Sequence, residues 1–323
     1  MNRSKILSLG AKAMKKNTIP TRDEVLCYLR DRSNWGRWGD NGGAGAINLI
    51  TAEKRMFATK LVRSGKSVSL SRPFPVIPSA ENVKPAQHIT YKVDELEGDW
   101  KSAHDYYGIS YHGPASTHID ALCHMWNSDG MWDGRDPSDE ITSSGAKYGS
   151  VDAWKDGITT RGILLNVPKY RKKPYVVYDE PVHGWELEAI VAESGLSIEP
   201  GDAVFVYSGR EAFAKDNGGT WAGKPDWPGQ WAGLHASCLP FLRENDVAVL
   251  GWDMMDQYPN EYDISFSVHG ALFYYGIALI DNALLEPLAI ACEEENRYEF
   301  MVMINPLFVI GGTGSPVNPI ALF

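Results

Sequence analysis

The chain has 323 residues, of which 44% are hydrophobic and 22% charged, and its formal net charge is −10 at pH 7. This length suits one large domain or two fused halves, and the composition is typical of a globular protein. The acidic balance argues against nucleic acid or an anionic membrane as a partner, since both attract a positive excess. No stretch has the length of a membrane span, and the N-terminus lacks the apolar core of a secretory signal. We therefore expect a cytoplasmic protein that acts on a small molecule.

The four cysteines are scattered along the chain, at positions 27, 123, 238 and 292. None of them forms a Cys-x-x-Cys pair, so neither a zinc ribbon nor a thioredoxin motif is predicted. We interpret them as buried free thiols in a reducing compartment. Cys123 lies next to His124, and a role as a nucleophile stays an alternative there.

Capping signals predict the first two helices. Thr21 and Glu24 can form a capping box in front of an apolar stripe, so residues 1–33 are predicted to form an N-terminal helical arm. Thr51 begins a second predicted helix, and Gly65 ends it.

Strands and helices then alternate loosely through residues 34–323, which we predict to be one large domain. Apolar runs predict strands at 68–70, 162–167, 203–207, 247–251, 277–281 and 298–304. Helices are predicted at 185–194, 234–242 and 271–275, whereas most of 73–100 has an irregular pattern. Neither a dinucleotide-binding fingerprint nor a repeat is present. The pattern indicates a mixed α/β (α+β) fold with a central β assembly and helices packed outside it.

Large aromatic side chains are concentrated in and beside loops on either side of the central histidine-rich stretch. Such side chains either pack against the core or form walls for a flat ligand. The candidates for a substrate-binding wall are Trp35, Trp38, Tyr111, Trp126 and Trp132.

The residues with the most chemical potential lie between His112 and His124. His118 and Asp120 are two residues apart, so in an extended segment both side chains point to the same face. An imidazole and a carboxylate on one face can chelate a divalent cation. His112 precedes a Gly-Pro turn that can bring it back toward His118, and a bend in the chain can bring His124 close. The sequence therefore predicts a metal site in a hydrolase.

The segment Thr117–His124 (Thr-His-Ile-Asp-Ala-Leu-Cys-His) resembles the signature of the metal-dependent cyclase family, which includes bacterial kynurenine formamidase and isatin hydrolase. A second similar region runs from His269 to Asp281, where a histidine precedes an acidic residue by twelve positions. Weaker similarities lie at 201–202, 247–253 and 312–316. The resemblance implies a swivelling β/β/α fold with a barrel-like mixed sheet.

The resemblance also implies roles for individual residues. His118 and Asp120 would be metal ligands, and His124 would be the general acid/base. His269 and Asp281 would complete the metal shell. The cofactor would be a divalent metal, Zn or Mn, bound as one or two ions, and the protein would assemble as a homodimer or homotetramer.

Two positions depart from the family pattern. The family's first histidine ligand lies four residues before His118, where this chain has Pro114, and His112 is the nearest substitute. Asp281 stands where the formamidases have glutamate, whose side chain is one methylene longer. These departures leave open whether His112 is a ligand and whether the site holds one ion or two.

The expected reaction is hydrolysis of a cyclic or aryl amide, imide or lactone. A divalent metal lowers the pKa of bound water and polarises a carbonyl, and His124 would carry a proton to the leaving atom. One alternative is a metal-assisted cyclase or dehydratase that acts on a polyketide-like substrate. Another is a relative that binds metal or a small molecule without catalysis.

Overall fold

A computed structural model describes residues 17–93, 100–221 and 229–323, so residues 1–16 of the predicted arm lie outside the described range. The helices are α1 (Arg22–Asp31), α2 (Ala52–Thr59), α3 (Pro137–Glu140), α4 (Val167–Arg171), α5 (Gly184–Ser194), α6 (Arg210–Asp216), α7 (Leu239–Glu244) and α8 (Glu286–Glu294). The strands are β1 (Ser67–Ser69), β2 (Gln87–Val93), β3 (Ser102–Gly108), β4 (His118–Asp120), β5 (Ile141–Thr142), β6 (Gly145–Ala146), β7 (Ile158–Asn166), β8 (Ala203–Tyr207), β9 (Val249–Trp252), β10 (Ala278–Asp281), β11 (Glu299–Ile304), β12 (Gly314–Pro316) and β13 (Ile320–Leu322). Over these three ranges, no helix has both the length and the apolar character needed to cross a membrane.

One large curled sheet organises the fold, and nine of the described strands belong to it, in the order β1-β13-β11-β7-β8-β9-β10-β4-β12. The strands from β7 to β10 run parallel to one another, and the outer pairs are antiparallel. β8 and β9 are buried along their whole length, as parallel strands covered on both faces are expected to be. This mixed α/β domain confirms the predicted fold class.

The capping signals predict the first helices correctly. Thr21 and Glu24 form a reciprocal capping box at the start of α1, and the side chain of Thr51 caps α2. Val25 and Leu29 of α1 pack in the hydrophobic core. The described part of the predicted arm therefore packs onto the domain.

Two stretches differ from the sequence expectation. Residues 73–100 contain β2, which pairs with β3 as a separate hairpin. Most of its side chains are exposed, so it lacks the buried alternation by which a strand is recognised from sequence. The helix predicted at 234–242 begins later, with α7 at Leu239, because Pro240 suits only the first turn of a helix.

His183 makes the stability of the fold sensitive to acid. Its ring stacks on Trp185, and its Nδ1 lies 3.1 Å from Ser237 Oγ. Burial, and then the neighbouring His235, lower the pKa of His183 to about 4. In the unfolded chain His183 has an ordinary pKa of about 6.5, so between the two pKa values the unfolded chain binds a proton that the folded chain does not bind. This contribution to stability is fully present above the pKa of His183 in the unfolded chain, about 6.5. It is lost as the pH falls from there to the pKa of His183 in the folded chain, about 4.

We expect His183→Gln to flatten the acid side of the stability profile. The measurement is the free energy of unfolding in urea at several pH values between about 4.5 and 7. The wild type should lose more stability over this window than the variant. Identical slopes for the two proteins would contradict the assignment.

Candidate metal centre

Three neighbouring strands bring the predicted ligands together. β4 carries His118 and Asp120 and lies between β10 and β12. The antiparallel register places Asp281 of β10 directly opposite His118. All three side chains are buried. The predicted two-residue spacing thus delivers an imidazole and a carboxylate to one face, and the partner strand adds a second carboxylate.

Four imidazoles converge on Asp120. Its Oδ1 lies 2.9 Å from His112 Nδ1 and 3.4 Å from His118 Nε2. Its Oδ2 lies 3.9 Å from His124 Nε2 and 4.0 Å from His269 Nε2. Asp120 is therefore the centre of the cluster, and residues separated by about 150 positions in sequence meet there.

Asp281 closes the other side of the cluster. Its Oδ2 lies 3.4 Å from His269 Nε2 and 3.9 Å from His118 Nε2. Its Oδ1 accepts a hydrogen bond of 2.6 Å from the indole N–H of Trp252, at the end of β9. The indole thus fixes one carboxylate oxygen and leaves the other facing the imidazoles. Sequence reasoning did not identify Trp252 as a supporting residue.

In His118 and His269, the ring nitrogen Nδ1 is bonded to another group of the protein. His118 Nδ1 donates to the carbonyl oxygen of Ser116 at 2.8 Å, and His269 Nδ1 pairs with the carboxylate of Asp256. These bonds direct Nε2 of both rings toward the carboxylates of the cluster, where a cation can take the place of a proton on Nε2. Asp256 supports His269 in this cluster and was not identified from the sequence. The available signal is its position just beyond the predicted strand at 247–251, where polar side chains follow an apolar run.

The donor atoms of this cluster fit a divalent cation. Both carboxylate oxygens of Asp120 and the Nδ1 of His112 are buried and make no well-formed hydrogen bond to any described residue, although the two side chains approach to 2.9 Å. A buried carboxylate without donors costs several kcal/mol unless a cation compensates it. Burial acts to raise the pKa of Asp120, but the imidazoles, foremost His124 and His118, hold it well below its usual range. The carboxyl group of Asp120 is therefore ionised, as a metal ligand has to be.

Within the described ranges, two sets of three side chains have donor atoms close enough to share an ion. One set is His112, Asp120 and His124, and the other is His118, Asp120 and Asp281. Asp120 belongs to both, so the arrangement suits one ion or two ions bridged by Asp120. Nitrogen and oxygen donors of this kind suit zinc and manganese alike.

His112 and His124 lie side by side at the edge of the cluster. Their rings are parallel, with centroids 3.7 Å apart. His112 Nε2 contacts Thr313 Oγ1 at 3.1 Å, which directs its Nδ1 toward Asp120. Burial lowers the pKa of His124 to about 4, so its ring is neutral near pH 7 and can accept a proton. The geometry allows His124 to act either as a ligand or as the proton carrier. Its role as the general acid/base therefore stays a prediction.

A cavity of about 330 Å³ opens onto the cluster. Its polar lining consists of the imidazoles and Asp281, and its apolar lining includes Met125, Trp231, Met255 and Phe266. The ring of Phe266 lies 5.2 Å from the ring of His269 and 6.1 Å from that of Trp231. A mainly apolar lining with a few convergent polar groups is usual for a small-molecule site.

The structure places three of the predicted wall residues in the packing of the domain. Trp132 is fully buried and its indole N–H is bonded to a backbone carbonyl, so it is a core residue, which corrects the prediction. Trp38 packs against Trp132, with ring centroids 6.0 Å apart. Trp35 donates its indole N–H to the carbonyl of Phe273. None of the three is among the described residues that line the cavity.

The other two predicted wall residues differ in their placement. Trp126 is 46% exposed and lies outside the cavity lining. Tyr111 lies close to the cluster, with its ring centroid 4.4 Å from that of His112 and 5.9 Å from that of His118. It lines a second cavity of about 290 Å³, which shares the stretch His112–Pro114 with the first. Tyr111 is thus the one predicted wall residue beside the centre.

We expect Asp256→Asn to weaken metal binding without abolishing it. The carboxylate fixes the ring of His269 and increases its basicity, and losing such a partner typically costs about 10–100-fold in metal affinity. Competition with a chromophoric chelator measures this change. Asp129→Asn, which alters a carboxylate paired with Arg30 away from the cluster, is the control. Equal affinities for both variants would rule out this role for Asp256.

The described residues thus combine a curled mixed sheet with a histidine–aspartate cluster whose donor atoms fit a divalent cation. The family model described as "Putative cyclase" matches residues 67–257, which is more than half of the chain. The chain therefore belongs to the cyclase family, as the signature around His118 predicts. His269 and Asp281 lie beyond the matched residues, and the structure brings them to the same centre.

Solved structures show the same fold. A crystal structure of a novel cyclase is 26% identical, with a TM-score of 0.75, and the match covers 90% of this chain and 99% of the other. An isatin hydrolase bound to the product analogue thioisatinate is 16% identical, with a TM-score of 0.57 and coverage of 84% and 99%. Isatin hydrolase A from Ralstonia solanacearum is 14% identical, with a TM-score of 0.54 and coverage of 79% and 91%. No curated protein sequence matches the chain.

Proposed function

We propose that this protein is a metal-dependent hydrolase that opens a cyclic or aryl amide, imide or lactone. The observation that carries the proposal is the buried carboxylate of Asp120, which makes no well-formed hydrogen bond to any described residue and lies among four imidazoles beside a cavity. Membership of the cyclase family and the fold shared with isatin hydrolases support it.

The residues that would hold the metal are His118, Asp120, His269 and Asp281, with His112 as a further ligand through Nδ1. When bound there, a divalent metal would lower the pKa of a water molecule and polarise the carbonyl of the substrate. The protein's own contribution is to fix these side chains before the substrate arrives. Their burial and their second hydrogen bonds hold them in place, so little reorganisation is needed during the reaction.

His124 is the proton carrier in this proposal. Its neutral Nε2 accepts a proton from the water that attacks the carbonyl carbon, as the carbon–oxygen bond forms. It then returns the proton to the leaving nitrogen or oxygen as the carbon–nitrogen or carbon–oxygen bond breaks. The parallel ring of His112 restricts the orientation of His124.

Phe266 is proposed to form the apolar wall against which a flat substrate packs. We expect Phe266→Ala to raise KM for an aromatic substrate by up to about tenfold, because an aromatic contact contributes roughly 0.5–1.5 kcal/mol. Steady-state kinetics measure this change. Phe308→Ala, at an exposed position, is the control. An unchanged KM together with a lower melting temperature would mean that Phe266 serves only in packing.

The experiment that tests the proposed activity is a hydrolysis screen. The purified protein is assayed on N-formyl arylamines, isatins, cyclic imides and lactones, before and after removal of metal by a chelator. We expect turnover of at least one class that is lost with the metal and restored by zinc or manganese. Metal-independent turnover, or no turnover of any class by the metal-loaded protein, would contradict the proposal.

A further inference from the structure

A buried arginine contacts the loop that carries His112. Arg210 begins α6 and is 3% exposed. Its guanidinium donates to the carbonyl oxygen of Pro114 at 2.6 Å and to Oδ1 of Asn282 at 2.7 Å. Asn282 in turn donates from Nδ2 to the carbonyl oxygen of Gly113 at 2.7 Å. Arg210 and Asn282 thus hold the two residues that directly follow His112.

Asn282 extends the same network to the other end of the loop. The Nδ2 of Asn282 also donates to the carbonyl oxygen of Ser116 at 3.2 Å. The backbone carbonyl of Asn282 accepts a hydrogen bond of 2.8 Å from Thr117 Oγ1. The carbonyl of Ser116 also accepts the Nδ1–H of His118. The loop between the two histidines is therefore held at three backbone carbonyls.

Arg210 itself is fixed from two sides. The carboxylate of Asp253 accepts the backbone N–H groups of Ser208, Gly209 and Arg210 at 2.8, 2.9 and 3.0 Å, which sets the start of α6. Glu81 pairs with the guanidinium at 2.8 Å and compensates its buried charge. Because both of its ends are held, Arg210 has little freedom to follow a displaced loop.

We propose that Arg210 is a positioning residue that sets His112 against Asp120 and so completes the metal centre. This inference rests on the proposed function of that centre. The guanidinium uses its planar fork, with Nη1 on Asn282 and Nη2 on Glu81 and Pro114. A lysine ammonium is a single point of charge and cannot reach all of these acceptors with the same geometry.

The test compares Arg210→Lys with His112→Ala in a zinc-binding assay that needs no turnover. Competition with a chromophoric chelator gives the affinity for Zn²⁺. We expect Arg210→Lys to weaken binding about tenfold, as the loss of a supporting residue does. In the His112→Ala background, the same substitution should have no further effect, because its influence passes through His112.

A spectroscopic readout separates positioning from a general loss of structure. The visible spectrum of the cobalt-loaded protein reports the ligands of the ion, so the spectrum of Arg210→Lys should shift toward that of His112→Ala. The control is Arg161→Lys, which alters a second buried arginine, paired with Asp202. This variant should lose thermal stability but keep the wild-type spectrum and zinc affinity.

Three results would overturn the inference: wild-type zinc affinity in Arg210→Lys, additive losses in the double variant, or the same spectral change in the Arg161→Lys control. If Arg210→Lys does not fold, Asn282→Ala replaces it. Its loss of affinity should be smaller in the His112→Ala background but not absent, because Asn282 also holds the Ser116 carbonyl that accepts His118 Nδ1. Wild-type affinity in Asn282→Ala, or an undiminished loss in the His112→Ala background, would then contradict the proposal. A wild-type protein that binds neither zinc nor manganese would instead overturn the proposed function, so the two failures are distinguishable.

Discussion

Replacing Asp120 with asparagine is expected to abolish stoichiometric metal binding and to reduce turnover to background. Both oxygens of this carboxylate face imidazoles, and among the described residues they make no well-formed hydrogen bond and belong to both possible ligand sets. An asparagine has the same shape, but it removes the negative charge and offers only one oxygen as a ligand. Elemental analysis of the purified variant, together with its rate on the best substrate, measures the effect.

Thermal unfolding adds an independent readout for the same substitution. Metal at about 100 times its dissociation constant should stabilise the wild type by roughly 2.7 kcal/mol, because it binds only the folded state. Asp120→Asn should show no such gain. Asp281→Asn should show a reduced one, because only Oδ2 of Asp281 faces the cluster. Stoichiometric metal in Asp120→Asn would mean that the centre lies elsewhere.

Replacing His124 with alanine is expected to lower kcat by about 10²–10⁴-fold, the usual contribution of a general acid/base. Metal content should stay at the wild-type level, because His118, Asp120, His269 and Asp281 are untouched. The paired measurement is kcat and metal stoichiometry on the same preparation.

His88→Ala is the matched control, since His88 lies in the β2–β3 hairpin and is bonded to Asp105. It should change neither kcat nor metal content. If His124→Ala loses its metal, then His124 is a ligand and the proton carrier must be another group. If it keeps full activity, the proposed mechanism is wrong.

The part of the site that could be predicted from sequence is local. The two-residue spacing of His118 and Asp120 determines a shared face as soon as the segment is extended, and β4 is extended. His269 and Asp281 could be named only through the family resemblance. Their convergence depends on the pairing of β4 with β10, a contact between distant segments that no local pattern encodes.

The supporting residues escaped prediction for a related reason. Asp256 and Trp252 act through single contacts with His269 and Asp281, and neither has a spacing that distinguishes it from an ordinary buried residue. The sequence could not separate wall residues from packing residues among the five aromatics, because a loop tryptophan can pack inward or face a ligand with the same sequence context. The indole N–H of Trp132 donates to the buried backbone carbonyl of Gly42, which allows the whole side chain to pack in the core.

Metal reconstitution of the stripped protein tests the central claim most directly. The protein is freed of metal by a chelator, its folding is verified, and zinc or manganese is titrated back while hydrolysis of the best substrate is followed. We predict no turnover at the start and a rise to a plateau at one or two ions per chain. A stripped, folded protein with undiminished turnover, or one that regains no turnover with either metal, would contradict the account.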